Sequence, residues 1–124
     1  MDSVITLIAR KKLAMARKGD ISLPAVAGIA LGNGAEVDGE VKTPLSDDTS
    51  LRHELIRKPY VTCSMLTETS YRYRIDLEKE ELAGEVINEA ALYDADGDLL
   101  AIRTFKGKPK DSDMEMGFEF DDIF

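Results

Sequence analysis

The sequence predicts an α+β domain in which an N-terminal amphipathic helix packs on a mostly antiparallel β-sheet. Three observations carry this expectation. Apolar and basic residues interleave at helical spacing over the first eighteen positions, a period of two runs through the second half, and an Asp-Gly pair stands between two apolar segments. A helix, a strand and a polar loop followed by a run of strands is an α+β order. At 124 residues and 13.7 kDa the chain fits one domain, residues 1–124.

Taken in order, Val4, Ile5, Leu7, Ile8, Leu13 and Met15 alternate with Arg10, Lys11, Lys12, Arg17 and Lys18. Asp2 or Ser3 would cap this helix and Gly19 would end it. Its cations fall in the second half, where they complement the partial negative charge of a helix C-terminus. Residues 26–31 are short and apolar and run into Gly32-Asn33-Gly34, which predicts a buried strand and a turn. Residues 38–50 are a polar loop, with Asp48 or Ser50 placed to cap a short helical turn through Leu51 and Leu55.

Beyond that point the pattern becomes β. Val61, Cys63 and Met65 alternate with Tyr60, Thr62 and Ser64, and Tyr71, Tyr73, Ile75 and Leu77 alternate with Arg72, Arg74 and Asp76. Residues 67–70 are the right length to join the two as a hairpin. Residues 86–93 and 99–105 form a second pair around Asp94-Ala95-Asp96-Gly97-Asp98, where Gly97 can take positive φ without steric cost. Both faces of these segments are apolar, so they belong at the centre of the sheet. Residues 106–110 read as a basic loop. In the last strand Met114, Met116, Phe118 and Phe120 alternate with Glu115, Gly117 and Glu119.

Charge and composition exclude several functions. A net charge of -8 and a pI near 4.6 oppose nucleic acid and anionic membranes. Residues 21–35 are uncharged but carry Pro24 and three glycines, and are shorter than a membrane span. The apolar run before Arg10 reverses the order of a secretory signal. One cysteine permits no internal disulfide and suits a reducing cytoplasm.

No catalytic residue, cofactor or metal is expected. Asp94, Asp96 and Asp98 resemble a calcium loop only superficially, because Gly97 stands at position 4 and Phe105 at position 12. The residues of that turn are those hairpin tips prefer. A small ligand- or metal-binding module using the acidic tip is the alternative to a structural role, and a small cytosolic enzyme using Cys63 and His53 is a third. Cys63 shares a strand face with Val61 and Met65, so a buried, inert thiol is expected.

Residues 86–105 carry a more informative pattern: Ile-Asn-Glu, two small residues, Leu-Tyr and Asp-x-Asp-Gly-x-Leu, with Asn88, Glu89, Leu92, Tyr93, Asp94, Asp96, Gly97 and Leu99 at its key positions. This resembles the hairpin of the phage tail-collar fibre family, the N-terminal domains of tail fibres and related prophage tail proteins. Weaker similarity covers the N-terminal helix, the strand around Ile29-Ala30-Leu31-Gly32 and the Leu51-x-x-Glu54-Leu55 pattern; the family often has Gly where Ala91 stands.

The resemblance implies a non-enzymatic structural component of a phage or prophage tail, a fibre or baseplate attachment domain. It would be made in the bacterial cytoplasm and carried in the virion tail, with other tail or baseplate proteins as partners. A fibre continues into a shaft, whereas this chain stops at Phe124, as an isolated attachment domain or a small tail accessory protein would. Asn88 and Glu89 are expected to pin the hairpin through backbone groups. A short terminal strand suits pairing with the sheet edge of another copy, and tail fibres of this family are generally trimers, so a homo-oligomer, a trimer first, is expected with Met114, Met116, Phe118 and Phe120 at its interface. Residues 1–18 sum to +4 and residues 111–124 to -6, an asymmetry suited to setting that register.

Overall fold

The computed structural model describes residues 2–124, and among them lie ten strands and one helix. The chain opens with β1 (Asp2–Ile5) and α1 (Leu7–Lys18), then β2 (Val26–Gly32) and a small hairpin of β3 (Glu36–Val37) and β4 (Glu40–Val41). There follow β5 (Glu54–Pro59), β6 (Thr62–Thr67), β7 (Ser70–Leu77), β8 (Val86–Asp94), β9 (Leu99–Pro109) and β10 (Met116–Ile123). Strands β1-β9-β8-β2-β5 make a five-stranded antiparallel sheet, and β10-β7-β6 a three-stranded one.

The core lies between these two sheets. Ile29 and Leu31 of β2, Ile87 and Leu92 of β8 and Phe105 of β9 pack against Ile75 and Leu77 of β7 and Phe118 and Phe120 of β10. Alternate residues reach the reverse face of the larger sheet, where Ala30, Ala91, Tyr93, Leu99 and Ile102 form a second cluster with Leu51. Hence both faces of β8 are buried, and β8 and β9 are interior strands as their composition predicts. The architecture is mostly β rather than α+β, because the second sheet covers the face that a helix was expected to cover.

The helix is shorter and placed differently than the sequence suggests. Residues 2–5 are extended and pair with β9, Val4 opposite Ile102, so neither Asp2 nor Ser3 is the cap. Val4 and Ile5 are β-branched and gain a ladder on an open sheet edge there. The cap is Thr6, whose hydroxyl accepts from the Ala9 amide at 3.2 Å and donates to the Leu99 carbonyl at 2.7 Å. Gly19 ends the helix at φ 93°, as expected, with the Asp20 amide returning to the Met15 carbonyl. Only Ala9 and Lys12 of the helix are buried.

Three further expectations change. The turn through Leu51 and Leu55 is not helical: Leu51 is buried and the chain enters β5, which uses the free edge of β2 with Leu31 opposite Ile56. Residues 106–110 are not a basic loop, since β9 runs to Pro109, with a register shift between Ile87 and Glu89 absorbing the additional residues. Lys110 is buried, its ammonium donating to the carbonyls of Lys79 and Asp111. Third, the alternation of Cys63 with its neighbours holds, but β6 is an outer strand whose six residues are all exposed, and Cys63 is a free, exposed thiol rather than a core residue.

The signature hairpin as candidate functional site

The tip of the β8–β9 hairpin is a three-residue loop. The Gly97 amide donates to the Asp94 carbonyl at 2.9 Å, the Asp94 amide to the Asp98 carbonyl at 3.0 Å, and Gly97 sits at φ 88°. This is the tight turn followed by a left-handed residue that Asp-Gly favours. Asp94 organises it from within: one carboxylate oxygen accepts from the amides of Asp96 and Asp98, both at 3.0 Å.

The other oxygen of Asp94 accepts from the Lys12 ammonium at 2.7 Å, and Lys12 also meets Asp98 at 2.7 Å and Asp96 at 3.1 Å. Lys12 is 7% exposed and the Asp94 side chain wholly buried. Burial works against the lysine's charge, but its hydrogen bonds to Asp94, Asp98 and Asp96 outweigh it and hold its proton above the ordinary lysine range. The three carboxylates offered as a metal cluster thus share an ammonium, which ties the helix to the hairpin tip.

Farther along β8, Glu89 is 1% exposed, with its carboxylate among backbone donors. It accepts from the amides of Arg52 and His53 at 2.9 Å and of Gly34 at 2.8 Å. Asn88 works beside it, accepting from the Ala35 amide at 2.9 Å and donating to the Asn33 carbonyl at 3.2 Å. Both residues do bond backbone, but not that of their own hairpin: they fasten the loop after β2 and the segment before β5 onto β8. Gly32 makes room for this, since a Cβ there would lie 2.6 Å from a Glu89 carboxylate oxygen.

The remaining signature residues are packing residues. Leu92 and Leu99 are buried on opposite faces of the larger sheet. The Tyr93 ring lies 4.6 Å beneath the Arg57 guanidinium, which also donates to the Gly97 carbonyl at 2.8 Å, so β5 is tied to the hairpin tip.

The other candidates are dispersed. His53 is exposed and meets the Asn33 side chain, while Cys63 lies on the smaller sheet beside Tyr73, so the fold does not assemble them as a nucleophile and base. Of the four residues expected at an oligomer interface, Phe118 (6% exposed) and Phe120 (4%) lie inside the subunit, Met116 packs partly against that core, and Met114 is exposed. The acidic C-terminal strand meets β7 rather than the basic helix: Arg72 pairs with Asp121 at 2.8 Å and Glu119 at 2.9 Å.

Lys12 and Arg57 escape a reading of the sequence. Lys12 left one trace, since with Ala9 it occupies the inward stripe of the helix at a spacing of three.

Fold and site together define a two-sheet β scaffold whose signature side chains bind its own backbone and helix. The family model for the N-terminal region of phage tail-collar fibre proteins matches residues 1–119. The chain belongs to that family, and membership gives it a structural role in a phage tail, in association with other tail components. No curated protein and no solved structure matches it. No described helix is long and apolar enough to cross a membrane.

Proposed function

We propose that residues 1–124 act as a single attachment domain that joins a receptor-binding fibre to the tail or baseplate, without catalysis. The observation that carries this reading is the buried Glu89 carboxylate with its three backbone donors. A group so occupied is spent on rigidity, and an attachment domain must transmit load without changing shape. Asn88, Asp94 and Lys12 are committed in the same way, which leaves partners to be met by the outer surface.

The domain is further proposed to self-associate. The trimer implied by resemblance is the expected form; Phe118 and Phe120 serve the core of the subunit, which leaves Met114, Met116 and the outer edge of β10 to contribute to a contact. Deleting the gene from an inducible prophage tests the attachment role. Particles should retain tube and baseplate and lose the receptor-binding fibre; particles that keep the fibre would overturn it.

A further inference from the structure

We propose that the cleft between the edge strands β1 and β10 is a docking surface for a basic segment of another tail protein, in which a lysine or arginine set between apolar residues meets Asp122. The inference rests on the attachment role just proposed and gives it a location and a partner chemistry. β1 ends the larger sheet and β10 the smaller one, and no described strand bridges them. The cleft they leave consists of two adjoining cavities, of about 90 and 240 Å³, that share Ile5 and Asp122. It lies at the opposite end of β10 from Met116.

Strand alternation puts Asp122 there. It follows Phe118 and Phe120 on the face of β10 that turns toward the larger sheet, so a carboxylate enters the space where the pattern calls for another core residue. Its surroundings are apolar, with Ile5, Leu13, Val26 and Phe124 in one cavity and Val4 and Ala101 in the other. The two other acids of the cleft are answered, Asp94 by Lys12 at 2.7 Å and Asp121 by Arg72 at 2.8 Å. Asp122 is half-buried and, among the described residues, meets neither a cation nor a hydrogen-bond donor; burial alone acts on its proton affinity. An unpaired charge in such a place costs stability, and a cation brought from outside removes that cost.

Two demands select the occupant. The carboxylate calls for a cation, and residues 111–124, with six acidic side chains and no basic one, supply none. Ile5, Leu23, Ile123 and Phe124 flank it and are 42%, 51%, 61% and 70% exposed, so the occupant must also cover apolar surface on both sides of its charge. A free amine leaves that surface wet, and a wholly apolar segment buries Asp122 unpaired. A lysine or arginine between apolar residues meets both demands, its aliphatic stem adding to the apolar contact while its head reaches the carboxylate.

Nuclear magnetic resonance titration of the isotope-labelled full chain is the test, with the capped tripeptide Leu-Arg-Leu as probe and its citrulline analogue, neutral but of the same shape, as comparison. The arginine peptide should give saturable shifts confined to residues around Ile5, Leu13 and Ile123, and should bind about tenfold more tightly than the citrulline one. Asp122→Asn, which relieves a buried charge and so keeps the fold, should abolish that preference, whereas Asp113→Asn, on an exposed turn, should retain it. Leu23→Ser should weaken both peptides alike. Absence of saturable shifts, equal binding of the two peptides, shifts centred elsewhere, or a preference that survives Asp122→Asn would overturn the proposal. Particles of the inducible prophage separate this outcome from the fate of the attachment role: if deleting the gene removes the fibre but Asp122→Asn does not, the role stands and the cleft is wrong.

Discussion

Glu89 shows how much one buried carboxylate can organise, since three amides from two loops converge on it. Truncating it leaves those donors unsatisfied, and hydrogen bonds to a charged group contribute about 1.5–3 kcal/mol each. Glu89→Ala is therefore expected to cost about 3 kcal/mol or more, read as a lowered urea midpoint. At the hairpin tip, Lys12→Met removes the ammonium shared by three carboxylates, one of them buried, at an expected cost of about 3–5 kcal/mol. Calcium titrated into the native chain should give no saturable heat, because the ammonium already occupies the cluster. Gly97→Val should cost about 1 kcal/mol or more, since a β-branched residue resists φ 88°. Of these residues Gly97 was legible, because a turn is a local event. The partners of Lys12 and Glu89 lie 82 and 55 positions away, and no local pattern announces them.

Among the elements, those with local causes were read correctly and those with distant ones were not. The β6–β7 and β8–β9 hairpins followed from alternation and turn residues. Yet the pattern predicts helix where β1 forms, because Val4 and Ile5 fit an amphipathic stripe as well as a strand until the edge of β9 is there to pair with them. Cys63 was misplaced for a related reason: alternation tells which residues share a face, not whether anything covers it. Its thiol should accordingly react at nearly the same rate native and unfolded, and strong native protection would contradict its exposure. A chain ending at Asp113 lacks β10 and with it Phe118 and Phe120. It should lose cooperative unfolding altogether, as measured by near-ultraviolet circular dichroism during a thermal scan.

Across the whole molecule, acidity and stability are linked through the last strand. The Arg72 hydrogen bonds hold the Asp121 carboxyl below the usual aspartate range, so its contribution is present above that range and is lost as pH falls through the lowered value. Burial raises neighbouring Asp122, whose penalty is present at neutral pH and vanishes below its ordinary value. Asp122→Asn should therefore be more stable than the native chain at pH 7, the gap closing with acidification, whereas Asp121→Asn should be less stable. Denaturant midpoints across pH 3–7 would check both signs. Strand periodicity foretold the β content of the fold, but the division into two sheets arises from where β5 crosses over to β6, which periodicity does not encode.

The pairing of Asp2 with Thr104 reaches further than architecture. The first strand has no partner until β9 has been made, so a segment synthesised before the rest of the sheet is among the last to find its place. While the strands between them are made, β1 waits in the open, available to chaperones. The larger sheet closes in one late step, and a chain that stalls before β9 leaves one edge of β8 unpaired and open to the cell's proteases.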